Sequence, residues 1–179
     1  MRTNAMSTTY LLLGTILAAF VAVLVAVMRT TSASAQGTPA ALLQPVVALV
    51  ILTAIVALMM AVYRNVAVVR RITSQRYFQT FNADPPPEWV ERPARTYMNL
   101  LELPVLFYVV CLLMLTTGKF DVIQVSLAWL FVVTRYVHAF IYIAFNYVPF
   151  RFLAFLAGVI TLAVMWTRFV EQNLNWPLS

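Results

Sequence analysis

The sequence predicts an all-α membrane protein, a bundle of apolar helices, and three observations carry that reading. Its 179 residues are 63% hydrophobic and 10% charged, with a mean hydropathy of +0.86, where a soluble domain has roughly 45–50% apolar and 25% charged residues. Five apolar runs, at residues 10–28, 42–63, 97–116, 122–147 and 152–170, are each long enough to cross a hydrocarbon core of about 30 Å at helical rise. No alternating strand pattern accompanies them, and backbone polar groups in lipid must be satisfied within their own segment, so the runs are expected to be helices.

The first run has two readings. With Arg2 ahead of it and Ala33-Ser34-Ala35 behind it, residues 1–36 resemble a secretory signal with a small-residue cleavage site. The run is longer than the 7–15 residues of a usual signal core, which favours a retained extra transmembrane helix. After the second run come Arg64, Arg70, Arg71, Arg76 and Arg92, whereas the turn at 117–121 has Lys119 as its only cation. The positive-inside rule makes 64–92 a cytoplasmic loop and places both the N-terminus and the 147–151 turn inside. Within that loop, Asp84-Pro85-Pro86-Pro87-Glu88 excludes helix interior and favours an extended, semi-rigid path over 73–92. Pro104 is expected to kink the third run, and residues 171–179 are a tail.

Composition removes several function classes. The net charge of +6 comes mostly from cations flanking apolar runs, which report topology and not a nucleic-acid partner. The chain has one cysteine, Cys111, one histidine and 4 glycines. An intrachain disulfide, a Cys/His metal cluster, a hydrolytic triad and a glycine-rich phosphate cradle all lack their residue sets.

What remains are polar groups where lipid disfavours them. Arg95, Asn99 and Glu102 lie at or inside the third run, and Arg135, His138 and Tyr142 lie inside the fourth. Offsets of three, four and seven residues share a helix face, so each triplet forms a polar stripe. Counted at helical rise from the turn between the two runs, Glu102 and Arg135 both lie about 20 Å deep. Ionisable residues at such depth read by default as a functional site. Arg95 and Asn99 on one helix and His138 and Tyr142 on the next approach the cytoplasmic boundary, where Arg64 and Arg151 also sit. The set suits a polar ligand with carboxylates and one amine, since guanidinium forks hold carboxylates and Glu102 accepts an ammonium. The competing reading pairs Arg135 with Glu102 as a clamp between two helices, with Arg95 and Tyr142 snorkelling to the interface.

At these residues the chain resembles the MAPEG family, the membrane-associated proteins in eicosanoid and glutathione metabolism, in particular its bacterial-type members. Glu91-Arg92-x-x-Arg95-x-x-x-Asn99-x-x-Glu102 looks like the family's second-helix signature, and Arg135-x-x-His138-x-x-x-Tyr142 looks like its third-helix motif. Arg151, after Pro149, stands where the family has an arginine associated with thiol activation. The resemblance covers about residues 42–170 and implies a four-helix protomer that forms a homotrimer, here with an extra N-terminal helix. It also implies glutathione as co-substrate between neighbouring subunits near the cytoplasmic side of a bacterial inner membrane. Carried over, Arg95, Asn99, Glu102, Arg135, His138 and Tyr142 bind glutathione, Arg64 is a weaker match, and Arg151 is catalytic. Phe152 departs from the serine of the prostaglandin E synthase branch, which argues against that isomerase chemistry.

Three functions are therefore expected in order of preference. The first is a glutathione-dependent transferase or peroxidase acting on hydrophobic electrophiles or lipid hydroperoxides. The second is a non-catalytic lipid-binding or regulatory homologue. The third is a structural subunit of a larger membrane complex.

Overall fold

The computed structural model, which describes residues 2–30, 36–80 and 85–174, contains six helices, five of them on the apolar runs. They are α1 (Arg2–Thr30), α2 (Pro39–Val69), α3 (Gln75–Thr80), α4 (Glu88–Thr117), α5 (Val122–Ala144) and α6 (Val148–Leu174). Among the described residues there is no strand, only an isolated antiparallel bridge between Gln36 and Asp121. The Ala33-Ser34-Ala35 stretch, loop residues 81–84 and the tail beyond residue 174 lie outside the described residues.

The caps are legible in residue chemistry. Thr38 accepts the Ala41 N–H at 3.2 Å ahead of α2, with Pro39 in the first turn, where its missing N–H costs nothing. Asp121 Oδ1 accepts the Gln124 N–H at 2.9 Å ahead of α5. Gly118, at φ 66°, ends α4 in the left-handed conformation that its missing Cβ permits. Asn146, at φ 49°, plays the corresponding part after α5, its N–H reaching the Ile141 carbonyl at 2.7 Å.

Four helices, α2, α4, α5 and α6, are long and apolar enough to cross a membrane, and the protein is an integral, multi-pass membrane protein. The apolar stretch Gly14–Ala26 of α1 is shorter, and α1 packs against α6 and α5. Neighbouring spans run antiparallel, so the α4–α5 turn and the start of α2 share one end while the α5–α6 junction and the start of α4 share the other. The linker ahead of α2 touches the α4–α5 turn through Gly37, whose N–H reaches the Phe120 carbonyl at 3.4 Å. At the other end, Arg92 Nη1 donates to the Ala144 carbonyl at 3.5 Å.

The core lies along the α4–α5–α6 seam and the adjoining face of α2, with Leu49, Phe107, Leu127, Phe131 and Met165 fully buried. Phe107 and Phe131 stack at 4.7 Å between ring centroids. Leu58, Leu112 and Phe140 point outward, as a helix in lipid permits. Cys111 is buried in this core as a free thiol.

The expected element ends need correction. Helix α4 begins at Glu88 and not near residue 97, and α2 runs on to Val69 instead of stopping at 63. The expected extended loop thus contains α3 and the first turns of α4. Hydropathy registers only the stretch in hydrocarbon, whereas ion pairs of Arg92 with Glu88 and Arg95 with Glu91 carry α4 past it. Pro104 is buried inside α4, and the helix runs through both it and Pro93.

Candidate functional site

At the junction end, a pocket of about 380 Å³ opens between α4, α5 and α6, lined by Asn99, His138, Tyr142, Val148, Arg151, Phe152 and Phe155. Each polar member is placed by its helix. His138 and Tyr142 stand one turn apart on α5, their rings edge-on at 6.0 Å, and both are buried. Asn99 reaches in from α4, its Nδ2 donating back to the Arg95 carbonyl at 2.9 Å, which leaves Oδ1 to accept from a ligand.

Arg151 lies in the first turn of α6. Its guanidinium carbon sits 4.1 Å from the Tyr142 ring centroid, and its Nη1 donates to Asn146 Oδ1 at 2.7 Å. Both partners are neutral. The pocket therefore keeps the positive charge of one half-buried cation, held over an aromatic face. Phe152 and Phe155 supply apolar walls.

Four expected site residues thus converge: Asn99, His138, Tyr142 and Arg151. The other four do not line this pocket. Arg135 is 1% exposed, with Nη2 donating to the carbonyls of Ala154 at 2.9 Å and Phe155 at 3.2 Å. Its guanidinium lies over the rings of Phe131 and Phe155 at 5.4 and 5.6 Å. Because Phe155 also lines the pocket, an aromatic ring forms the wall on the side of Arg135. Close approach depends on Gly158, where a Cβ would come within 2.7 Å of the guanidinium carbon and 2.8 Å of Thr134 Oγ1.

Glu102 is exposed and, among the described residues, forms no ion pair with Arg135. Within one chain the two neither clamp the helices together nor meet across a cavity. Arg95 is also exposed, its Nε 3.7 Å from Glu91 Oε2. Together with Asn99 these residues share one face of α4, so Arg95 and Glu102 flank the pocket one turn to either side. Arg64, at the far end of α2, lies over the Phe78 ring of α3 at 5.2 Å.

Sequence reasoning missed Asn146, whose side chain anchors Arg151. The signal was an asparagine just past a helix end, a residue type suited to the left-handed conformation. It also missed the polar cluster at the opposite end, where Asp121 Oδ2 pairs with Arg168 and accepts from Gln172 at 3.1 Å. Among the described residues no group of His, Cys, Asp and Glu could hold a metal ion.

Comparison with curated proteins gives no match, and comparison with solved structures gives none. The model of the MAPEG family matches residues 42–170, which takes in α4 and α5 whole and all but the outer ends of α2 and α6, and leaves α1 outside. Since that match covers the bulk of the sequence, including every residue of the pocket, the chain belongs to the MAPEG family.

Proposed function

We propose that the protein is a glutathione-dependent membrane enzyme, a transferase or peroxidase for hydrophobic electrophiles or lipid hydroperoxides, with Arg151 as its catalytic residue. The observation that carries this reading is a cation with only neutral partners, Asn146 and Tyr142, facing a small-molecule-sized pocket beside lipid-accessible surface. A cation close to a thiol favours the thiolate, which is the nucleophile.

In this scheme the glutathione S–H gives its proton to water and the sulfur anion rests against Arg151. In transferase chemistry the thiolate attacks an electrophilic carbon, a C–S bond forms, and the leaving group departs with its bonding electrons. In peroxidase chemistry it attacks a peroxide oxygen and the O–O bond breaks. Alkoxide leaves and is protonated, and the glutathione sulfenic acid condenses with a second glutathione to give disulfide and water. Asn99 accepts from the peptide backbone, while Arg95 and Glu102 on the flanking α4 face complement a carboxylate and the ammonium. We read that exposed face as the seam of a homotrimer, so that a neighbouring copy completes the pocket. The arginines of the 64–92 segment, Arg64, Arg70, Arg71, Arg76 and Arg92, support by the positive-inside rule a pocket that faces the cytoplasm, and the resemblance to bacterial-type members supports the bacterial inner membrane.

Titrating the detergent-purified protein with glutathione tests this reading. Growth of the ultraviolet thiolate band is expected with the wild type and not with Arg151→Ala, although the variant still binds glutathione. No band with the wild type, or equal loss of binding and turnover in the variant, refutes a catalytic Arg151.

A second reading, a non-catalytic lipid-binding homologue, draws on a groove of about 800 Å³ between α1, α5 and α6, apolar along nearly all its wall and lined by Phe20, Val137, Phe150 and Ala157 among others. Binding of a fatty-acid probe without conjugation of any electrophile would favour it.

A further inference from the structure

We propose that Asn146 is a positioning residue for the thiolate site: its left-handed backbone aims Oδ1 at Arg151 Nη1, fixing the guanidinium over the Tyr142 ring and against the pocket. The inference rests on the reading of Arg151 as the thiolate-stabilising cation. An arginine side chain in the first turn of a membrane helix has many rotamers and a nearby water interface to which it can snorkel. Two contacts oppose that here. The guanidinium carbon lies over the ring of Tyr142, and the Asn146 amide oxygen takes one of its N–H groups from the side of the junction.

A neutral acceptor in this place has a consequence that a carboxylate would not have. Aspartate at 146 would hold the same N–H and also cancel the positive charge that a bound sulfur anion needs. Asparagine immobilises the cation and leaves its charge to the ligand. The backbone requirement is separable from the side chain, because glycine adopts the same positive φ without strain, whereas alanine does so at a cost. The ionisable groups lining the pocket besides Arg151 are His138 and Tyr142, both on α5; Arg95 and Glu102 flank it on α4, and Arg92 of α4 reaches the Ala144 carbonyl at the junction.

The test compares wild type, Asn146→Gly, Asn146→Asp and Arg151→Ala as full-length protein in detergent. Bound glutathione is titrated across pH by its thiolate absorbance, and glutathione affinity is measured separately. Asn146→Gly is expected to lower the thiolate fraction at neutral pH threefold to tenfold while affinity changes less than twofold. Asn146→Asp is expected to lower it further, because the anchor returns but the charge is compensated. If both variants titrate like the wild type while Arg151→Ala does not, Asn146 is only a helix terminator and the inference is overturned. If Arg151→Ala also titrates like the wild type, the thiolate reading itself fails and takes the inference with it.

Discussion

The two ends of α6 hold an arginine each, and they are held in opposite ways. Arg168 meets the carboxylate of Asp121, which also accepts from Gln172 and caps α5. Arg151 meets an amide and an aromatic face. The first cation is matched by an anion inside the chain and acts as a fastener between the α4–α5 turn and α6. The second keeps its charge unmatched beside a pocket. A buried or half-buried cation without a carboxylate is costly unless something else supplies the anion, and in the proposed reaction that anion is the glutathione sulfur. Between the two lies Arg135, also without a carboxylate, whose Nη2 donates to two backbone carbonyls of α6 while its buried Nε has no hydrogen-bond partner, with the Phe155 ring between its guanidinium and the pocket lining.

This contrast is broken or sharpened by changing one arginine environment at a time. The largest effect is expected for Arg151→Ala, with turnover falling about 10²–10³-fold, as for loss of one group that stabilises a developing or reacting anion. Steady-state kinetics alongside equilibrium binding checks it, and Arg151→Lys should recover part of the rate. Next comes Asp121→Ala, which strips a cap and leaves Arg168 without its counter-ion. Stability should fall by about 3 kcal/mol, read as a lower midpoint of thermal unfolding in detergent, with the glutathione titration per folded molecule unchanged. Gly158→Ala should cost about 1–3 kcal/mol by forcing a methyl group against Arg135. A variant as stable as the wild type would show that the α5–α6 contact is looser than described. The smallest effect is expected for Glu102→Gln, a loss of roughly threefold to tenfold in glutathione affinity with little change in maximal rate, as for one exposed charge-assisted contact. An unchanged affinity would remove Glu102 from the ligand set.

Much of the bundle was readable before any coordinates. Apolar runs located α2, α4, α5 and α6 because hydrocarbon admits only segments that satisfy their own backbone. Their ends were misplaced for the same reason. Hydropathy is blind to helix that continues in the interfacial region, where Glu88 with Arg92 and Glu91 with Arg95 sustain α4 through charge pairs. In the site, helical spacing on α5 brought His138 and Tyr142 to one wall, and the order of the runs brought Arg151 beside them. The same spacing also selected Arg135, and there it was insufficient: a long side chain one turn deeper reached the α6 carbonyls instead.

The amino-acid order alone determined that this chain lies in a membrane as helices, and which faces of those helices carry polar groups, because both follow from local periodicity and the cost of unpaired backbone in lipid. Which arginine serves as fastener and which stays available to a ligand was decided only in three dimensions. Asp121 and Arg168, Arg135 and Ala154, and Phe155 and the pocket meet across helices. The energy of a charge depends on the partners brought within a few ångströms of it, and packing chooses those partners.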